Sequence, residues 1–227
     1  MRTRFLVASA TISCRRIHEL SLLIHCGLEV SVIDAGTTGF AATPETVPNL
    51  TGVTAISLTE GLCAIVAGGA VECSPAGNEP ALVPGVTATA IAGDCALTPS
   101  GSIQCWGNLR WRPDAGGVSA LEGGGFTSLS DDSYSACAVQ GPGGTSITCW
   151  GYNDTGQLGG GLPIEGGPFA VPGLTGVASV AIGGSDIGFA CALLKDGTVQ
   201  CWGDNQHGEL GNGTTNDSSS GPVLVPQ

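Results

Sequence analysis

The apolar residues of this chain come in short runs, rich in Ala and Val, each cut off by Gly, Pro, Asn or Asp. That pattern predicts many short strands joined by tight turns. The runs GVTAISL, GVTATAI, FTSLS and GVASVAI each stand a few residues ahead of a cysteine, and the linkers VPNLTGV, VPGVTA and VPGLTGV recur between them. Aligned on the cysteines, the chain shows four units: CAIVAGGAVEC (63–73), CALTPSGSIQCWGN (95–108), CAVQGPGGTSITCWGYNDTGQLGGG (137–161) and CALLKDGTVQCWGDNQHGELGNGT (191–214). Successive first cysteines lie 32, 42 and 54 residues apart, which implies loops of variable length on a constant strand core. The body is residues 47–227, divided near 47–84, 85–120, 121–171 and 172–227, behind a degenerate leader at 1–46.

Each unit reads as a β-hairpin. In three of them nine residues separate the cysteines, and Gly69, Gly101 and Gly197 stand at the same offset. A three-residue loop ending on a left-handed glycine is a common hairpin connection. Counting outward from it sets Cys63 opposite Cys73, Cys95 opposite Cys105 and Cys191 opposite Cys201. The third unit lengthens the loop by two residues and keeps the parity, so Cys137 faces Cys149. Directly opposed strand residues bring their Cβ atoms to about 4.5–5.5 Å, close enough for a disulfide after local adjustment. Reduced thiols facing each other in the core are the alternative. Zinc is a poorer fit, because its structural sites favour closer Cys pairs and four ligands.

The second cysteine is followed by Trp-Gly in three units (Trp106, Trp150, Trp202), and in two of them by Asn and then GQLG or GELG, with Gly156, Leu158, Gly208 and Leu210. Physically this is a scaffold motif: an indole to pack between neighbouring sheets and reach a carbonyl, glycines for a tight turn, and a leucine anchor. CWGYNDTGQLGGG and CWGDNQHGELGNGT resemble the signature of the regulator of chromosome condensation repeat family, in its cysteine-paired bacterial form. The resemblance is strongest from about residue 121; the second unit departs into LRWRPDAGG and the first has lost its tryptophan. It implies an all-β chain, a β-propeller of four recognisable blades, incomplete against the family's seven. An unclosed propeller would expose apolar faces and invite self-association.

The charge balance narrows the partners. Of 227 residues 19 are acidic and seven basic, and Arg2, Arg4, Arg15 and Arg16 all precede the body. Nucleic-acid affinity rests on phosphate neutralisation, so no nucleic acid is expected. No apolar run has the length of a transmembrane helix. MRTRFLVASATIS resembles a short signal peptide, and with paired cysteines it points to an extracellular or cell-surface setting.

Candidate chemistry is sparse. Cys14, His18, His25 and Cys26 can be drawn as a zinc cluster, although an amphipathic or disordered leader is the plainer reading. His207 has no partnered nucleophile, and DNQHGELGNGTTND and DDSY (131–134) read as exposed loops. Arg110, Trp111 and Arg112 flank one another in the most distinctive insertion, and Arg and Trp dominate binding hot spots. No catalytic residue, metal or cofactor is expected. The reading is a non-enzymatic, disulfide-stapled propeller module for protein or carbohydrate binding. The resemblance also implies guanine-nucleotide exchange on a small GTPase, or blockade of an enzyme by a propeller face.

Overall fold

The computed structural model of the chain describes residues 6–16, 24–34, 45–47, 49–58, 61–75, 79–106, 119–121, 124–132, 134–161, 165–184 and 188–226. The described residues are almost wholly strand and turn, with one short 3₁₀ turn at Ala67–Gly69. Among them no helix is long and apolar enough to cross a membrane. The chain divides into two compact units, Met1–Ala88 and Thr89–Gln227.

In the first unit, β1 (Leu6–Arg16), β2 (Ile24–Asp34) and β3 (Glu45–Thr46) form an antiparallel sheet. Its register sets Cys14 directly opposite Cys26. The stretch read as leader and signal thus forms a strand pair, while His18 of the drawn zinc cluster lies outside the described residues. A second sheet holds β4 (Ala55–Leu58), β5 (Gly61–Ile65), β6 (Ala70–Pro75) and β7 (Ala81–Thr87) in sequential order. Its buried face collects Val53, Leu62, Ala64 and Val66.

The second unit stacks three four-stranded antiparallel sheets. They are β8 (Ala90–Ala92) to β9 (Cys95–Leu97), β10 (Ile103–Cys105) and β11 (Ser119–Leu121); β12 (Phe126–Asp131) to β13 (Ser135–Gln140), β14 (Ser146–Tyr152) and β15 (Glu165–Ala170); and β16 (Val177–Gly183) to β17 (Phe189–Leu194), β18 (Val199–Gly203) and β19 (Ser218–Leu224). Each is a meander in which neighbours in sequence are neighbours in space. That topology needs only short turns, which the glycines supply. Gly101 and Gly197 take φ of 77° and 89°, the left-handed conformation their hairpin loops require.

All four predicted registers are present. Cys63 faces Cys73, Cys95 faces Cys105, Cys137 faces Cys149 and Cys191 faces Cys201. All four pairs are disulfide-bonded, with Cα atoms 4.0–4.1 Å apart. The central strands are buried on both faces: Ala136, Cys137, Ala138 and Val139 on β13 are at most 1% exposed. Small residues there let flanking sheets close in on the bridge, which explains why Ala is so common beside the cysteines.

Candidate functional site

The Trp-Gly turns are where the sheets of the second unit join. Trp202 on β18 packs into the cluster that holds Cys137, Val139, Ile147, Cys149 and Leu158 of the preceding sheet. Trp150 on β14 does the same to the sheet before it, among Cys95, Leu97, Ile103 and Cys105. Each indole thus lies in one core cluster with the preceding sheet's disulfide, and both tryptophans are fully buried. Trp202 also donates its indole N–H to the carbonyl of Gln157 at 2.8 Å. Trp106 and Trp150 are buried too, but their Nε1 atoms find no acceptor among the described residues.

The glycines after Trp150 and Trp202 are required by contact as well as by conformation. Gly151 and Gly203 have φ of 111° and 104°. A Cβ on Gly151 would stand 2.3 Å from the Tyr134 carbonyl oxygen, and one on Gly203 2.6 Å from that of Gly188. Strand pairing is also irregular at this point in β14 and β18, where the register to the outer strand shifts.

The Asn-to-Leu segment folds the same way twice. Asn153 Oδ1 accepts the backbone N–H of Leu158 at 2.7 Å, and Asn205 Oδ1 accepts that of Leu210 at 2.9 Å. Gly156 N–H then donates to the Asn153 carbonyl and Gly208 N–H to that of Asn205. Both leucines are fully buried. Asn205 is bound further: its Nδ2 donates to the carbonyls of Thr214 and Asn216 at 3.0 and 2.9 Å, and its N–H to Asp217 Oδ1 at 2.9 Å. These side chains spend their hydrogen-bonding capacity inside the protein.

Two contributors were invisible in the sequence. Gln157 is fully buried, and its Oε1 accepts from the backbone N–H and hydroxyl of Thr155. The Thr155 hydroxyl also lies 2.8 Å from the Gly188 carbonyl of the next sheet. Asp204, which follows Trp202-Gly203, is only 2% exposed. Both are polar residues in a turn, and only the stacking of the next strand shows that they are covered. Arg110, Trp111 and Arg112, the binding-loop candidates, lie outside the described residues.

The DDSY stretch is a side-chain-capped turn. Asp132 Oδ1 accepts the N–H groups of Tyr134 and Ser135 at 3.1 and 2.8 Å, while its Oδ2 is buried without a partner. Burial pushes the carboxyl above its ordinary 3.8, against the lowering pull of the Ser135 and Tyr134 N–H bonds. A raised value in the folded state means that the folded state favours the protonated acid. Its contribution is fully present below the unfolded value and is lost as pH rises through the folded one. Asp132→Asn keeps an Oδ1 acceptor and cannot ionise. The stability of the wild type relative to D132N is therefore expected to fall as pH rises from about 4. Thermal melts of both proteins between about pH 3 and 7 measure it, and a constant gap would show that another group titrates.

Stacked four-stranded meanders of this kind define a repeat-built β-propeller module. Residues 177–209 and 196–227 match two models of the family described as regulator of chromosome condensation (RCC1) repeat. Residues 177–227 thus carry the repeat of that family, whose Trp-Gly turn is the one at Trp202-Gly203. The ultraviolet-B receptor UVR8 of Arabidopsis thaliana is 34% identical over 147 residues, covering 56% of this chain and 30% of the receptor. The human E3 ubiquitin-protein ligase HERC2 is 34% identical over 100 residues, 44% of this chain and 2% of the ligase. The matches thus span less than a third of these relatives. The fold is shared with human WBSCR16 (TM-score 0.71, 18% identity, 89% of this chain and 64% of that one). It is also shared with Prp20p of Saccharomyces cerevisiae (TM-score 0.72, 15% identity, 89% and 60%).

Proposed function

We propose that this chain is a non-enzymatic binding module: a propeller scaffold stapled for use outside the reducing cytosol, displaying its variable loops to a protein or carbohydrate partner. The observation that carries the reading is the internal satisfaction of the repeat motif. Trp202, Asn153, Asn205, Leu158 and Leu210 are buried: each asparagine closes its own turn onto the leucine, and Trp202 holds its sheet to the preceding one through Gln157 and Leu158. The repeated residues serve the scaffold, so the residues free to differ between units are those of the connecting loops, the usual carriers of recognition. A protein partner comes first, since Prp20p, which shares the fold, is described by its binding to Gsp1p and histones.

Four disulfides closing hairpins support the oxidising compartment, because the cytosol keeps thiols reduced. The test joins two measurements on the full chain from its native host. Non-reducing peptide mapping should recover the four pairs, and free thiols at Cys191 and Cys201 would remove the compartment. Glycan and extracellular-protein arrays should then give a ligand whose binding falls when Arg110, Trp111 and Arg112 are replaced together by alanine. Binding that survives this change would move the recognition surface elsewhere.

A further inference from the structure

Asp204 is a buried carboxylate with one oxygen left unbonded. It is 2% exposed, and its Oδ1 is buried without a hydrogen-bond partner. Burial raises its pKa and the charges of Asp217 and Glu209 raise it further, against the Gln206 backbone N–H and the charge of His207, which lower it. Leaving a carboxylate oxygen dry and unbonded is costly unless a cation or donor completes it.

The groups that surround it are metal ligands. One ligand atom each from Asp204, His207 and Glu209 lies within 4.8 Å of the others. His207 is largely solvent-facing at 79% side-chain exposure, and its Nδ1 stands 3.2 Å from Glu209 Oε1. In the preceding unit the equivalent residues are Tyr152, Thr155 and Gln157, so all three positions have exchanged a neutral side chain for a ligating one. The change is coordinated across one turn. It is confined to one of the two units that carry the full motif.

We propose that Asp204, His207 and Glu209 form a site for a divalent transition cation. Two carboxylates and an imidazole suit zinc or manganese. Calcium wants six or more oxygens, which this trio does not supply. Zinc ligands stand about 2.0–2.2 Å from the metal, so the three atoms must draw in to roughly 3.5 Å of one another. The exposed His207 ring is free to make that movement. The ion would neutralise the buried Asp204 and tie the GELG turn to the strand end. It would leave its remaining positions open on the solvent side, for water or for a carboxylate of a docked partner.

The test uses the full, oxidised chain, stripped with a chelator and titrated calorimetrically with zinc chloride and, separately, manganese chloride. One ion per chain is expected, with affinity weakened by about tenfold or more in H207A and in E209Q. Asp204→Asn adds a readout that does not depend on binding. It should raise the thermal midpoint of the metal-free protein by removing the buried charge, and abolish the further rise that zinc gives the wild type. No heat up to millimolar metal, or an affinity unchanged in H207A, would overturn the site, whichever other residues held the ion.

Discussion

Treatment with a disulfide reductant is expected to unfold this protein near room temperature, or to bring its denaturant midpoint close to zero. The four bridges close loops with sequence separations of 10, 10, 12 and 10 residues. In the chain-entropy model a loop of that length is worth about 2.7 kcal/mol, and the four together about 11 kcal/mol. Whole domains are stable by only about 5–15 kcal/mol, so the bridges are comparable with everything else combined. A single pair is a gentler probe. Replacing Cys95 and Cys105 by alanine should cost about 2–4 kcal/mol, with the rest of the chain still cooperative. Guanidinium unfolding followed by circular dichroism, with and without reductant, gives both numbers. An unfolding free energy of the reduced protein within about 1 kcal/mol of the oxidised one would mean that the hairpins hold without their staples. The protein would then have no need of an oxidising habitat to stay folded.

The hairpins were legible because two independent constraints agree. Cysteine spacing and glycine offset each fix a register, and in a strand pair one residue of error would turn a cysteine to the opposite face. Cys137 and Cys149 show the strength of that reasoning, since their longer loop changed nothing but length. The outer strands were harder. Glu165–Ala170 and Ser218–Leu224 contain Gly and Pro and show no clean alternation, and both pair through register shifts opposite the Trp-Gly step. MRTRFLVASATIS reads as signal-like from its composition alone, and the structure pairs Leu6–Arg16 with Ile24–Asp34, setting Cys14 against Cys26. Composition cannot see a partner strand.

The site was legible in kind and illegible in detail. Trp, Asn, Gly and Leu were assigned to scaffolding from their chemistry, and the buried Asn-to-Leu bonds give that assignment its mechanism. The acceptor of an indole cannot be read from a motif, because it lies 45 residues away, on another sheet. For the same reason the GQLG motif does not show that Gln157 is buried. Its burial depends on Gly188, where a side chain would meet its Cγ and Nε2 at 2.9 Å. Asp204 opens the DNQHGELGNGTTND stretch, which reads as an exposed loop from its polar composition, yet the fold buries it to 2% exposure.

Trp202→Ala should be the most damaging single substitution among the motif residues. Removing a fully buried indole opens a cavity in the cluster around Leu158 and the Cys137–Cys149 bridge, at about 3–5 kcal/mol. It also strips the Gln157 carbonyl of its donor, for about 1 kcal/mol more. Phenylalanine separates the two effects. At Trp202 it loses ring volume and the bond to Gln157; at Trp150 it loses ring volume but also removes a buried N–H that has no acceptor among the described residues. W202F is therefore expected to be less stable than W150F by about 1 kcal/mol, read from denaturant midpoints at constant slope. Equal losses would show that the indole joins the sheets by bulk, and that the hydrogen bond between them adds nothing to stability. A larger loss in W150F would reverse the assignment of which junction depends on a polar contact.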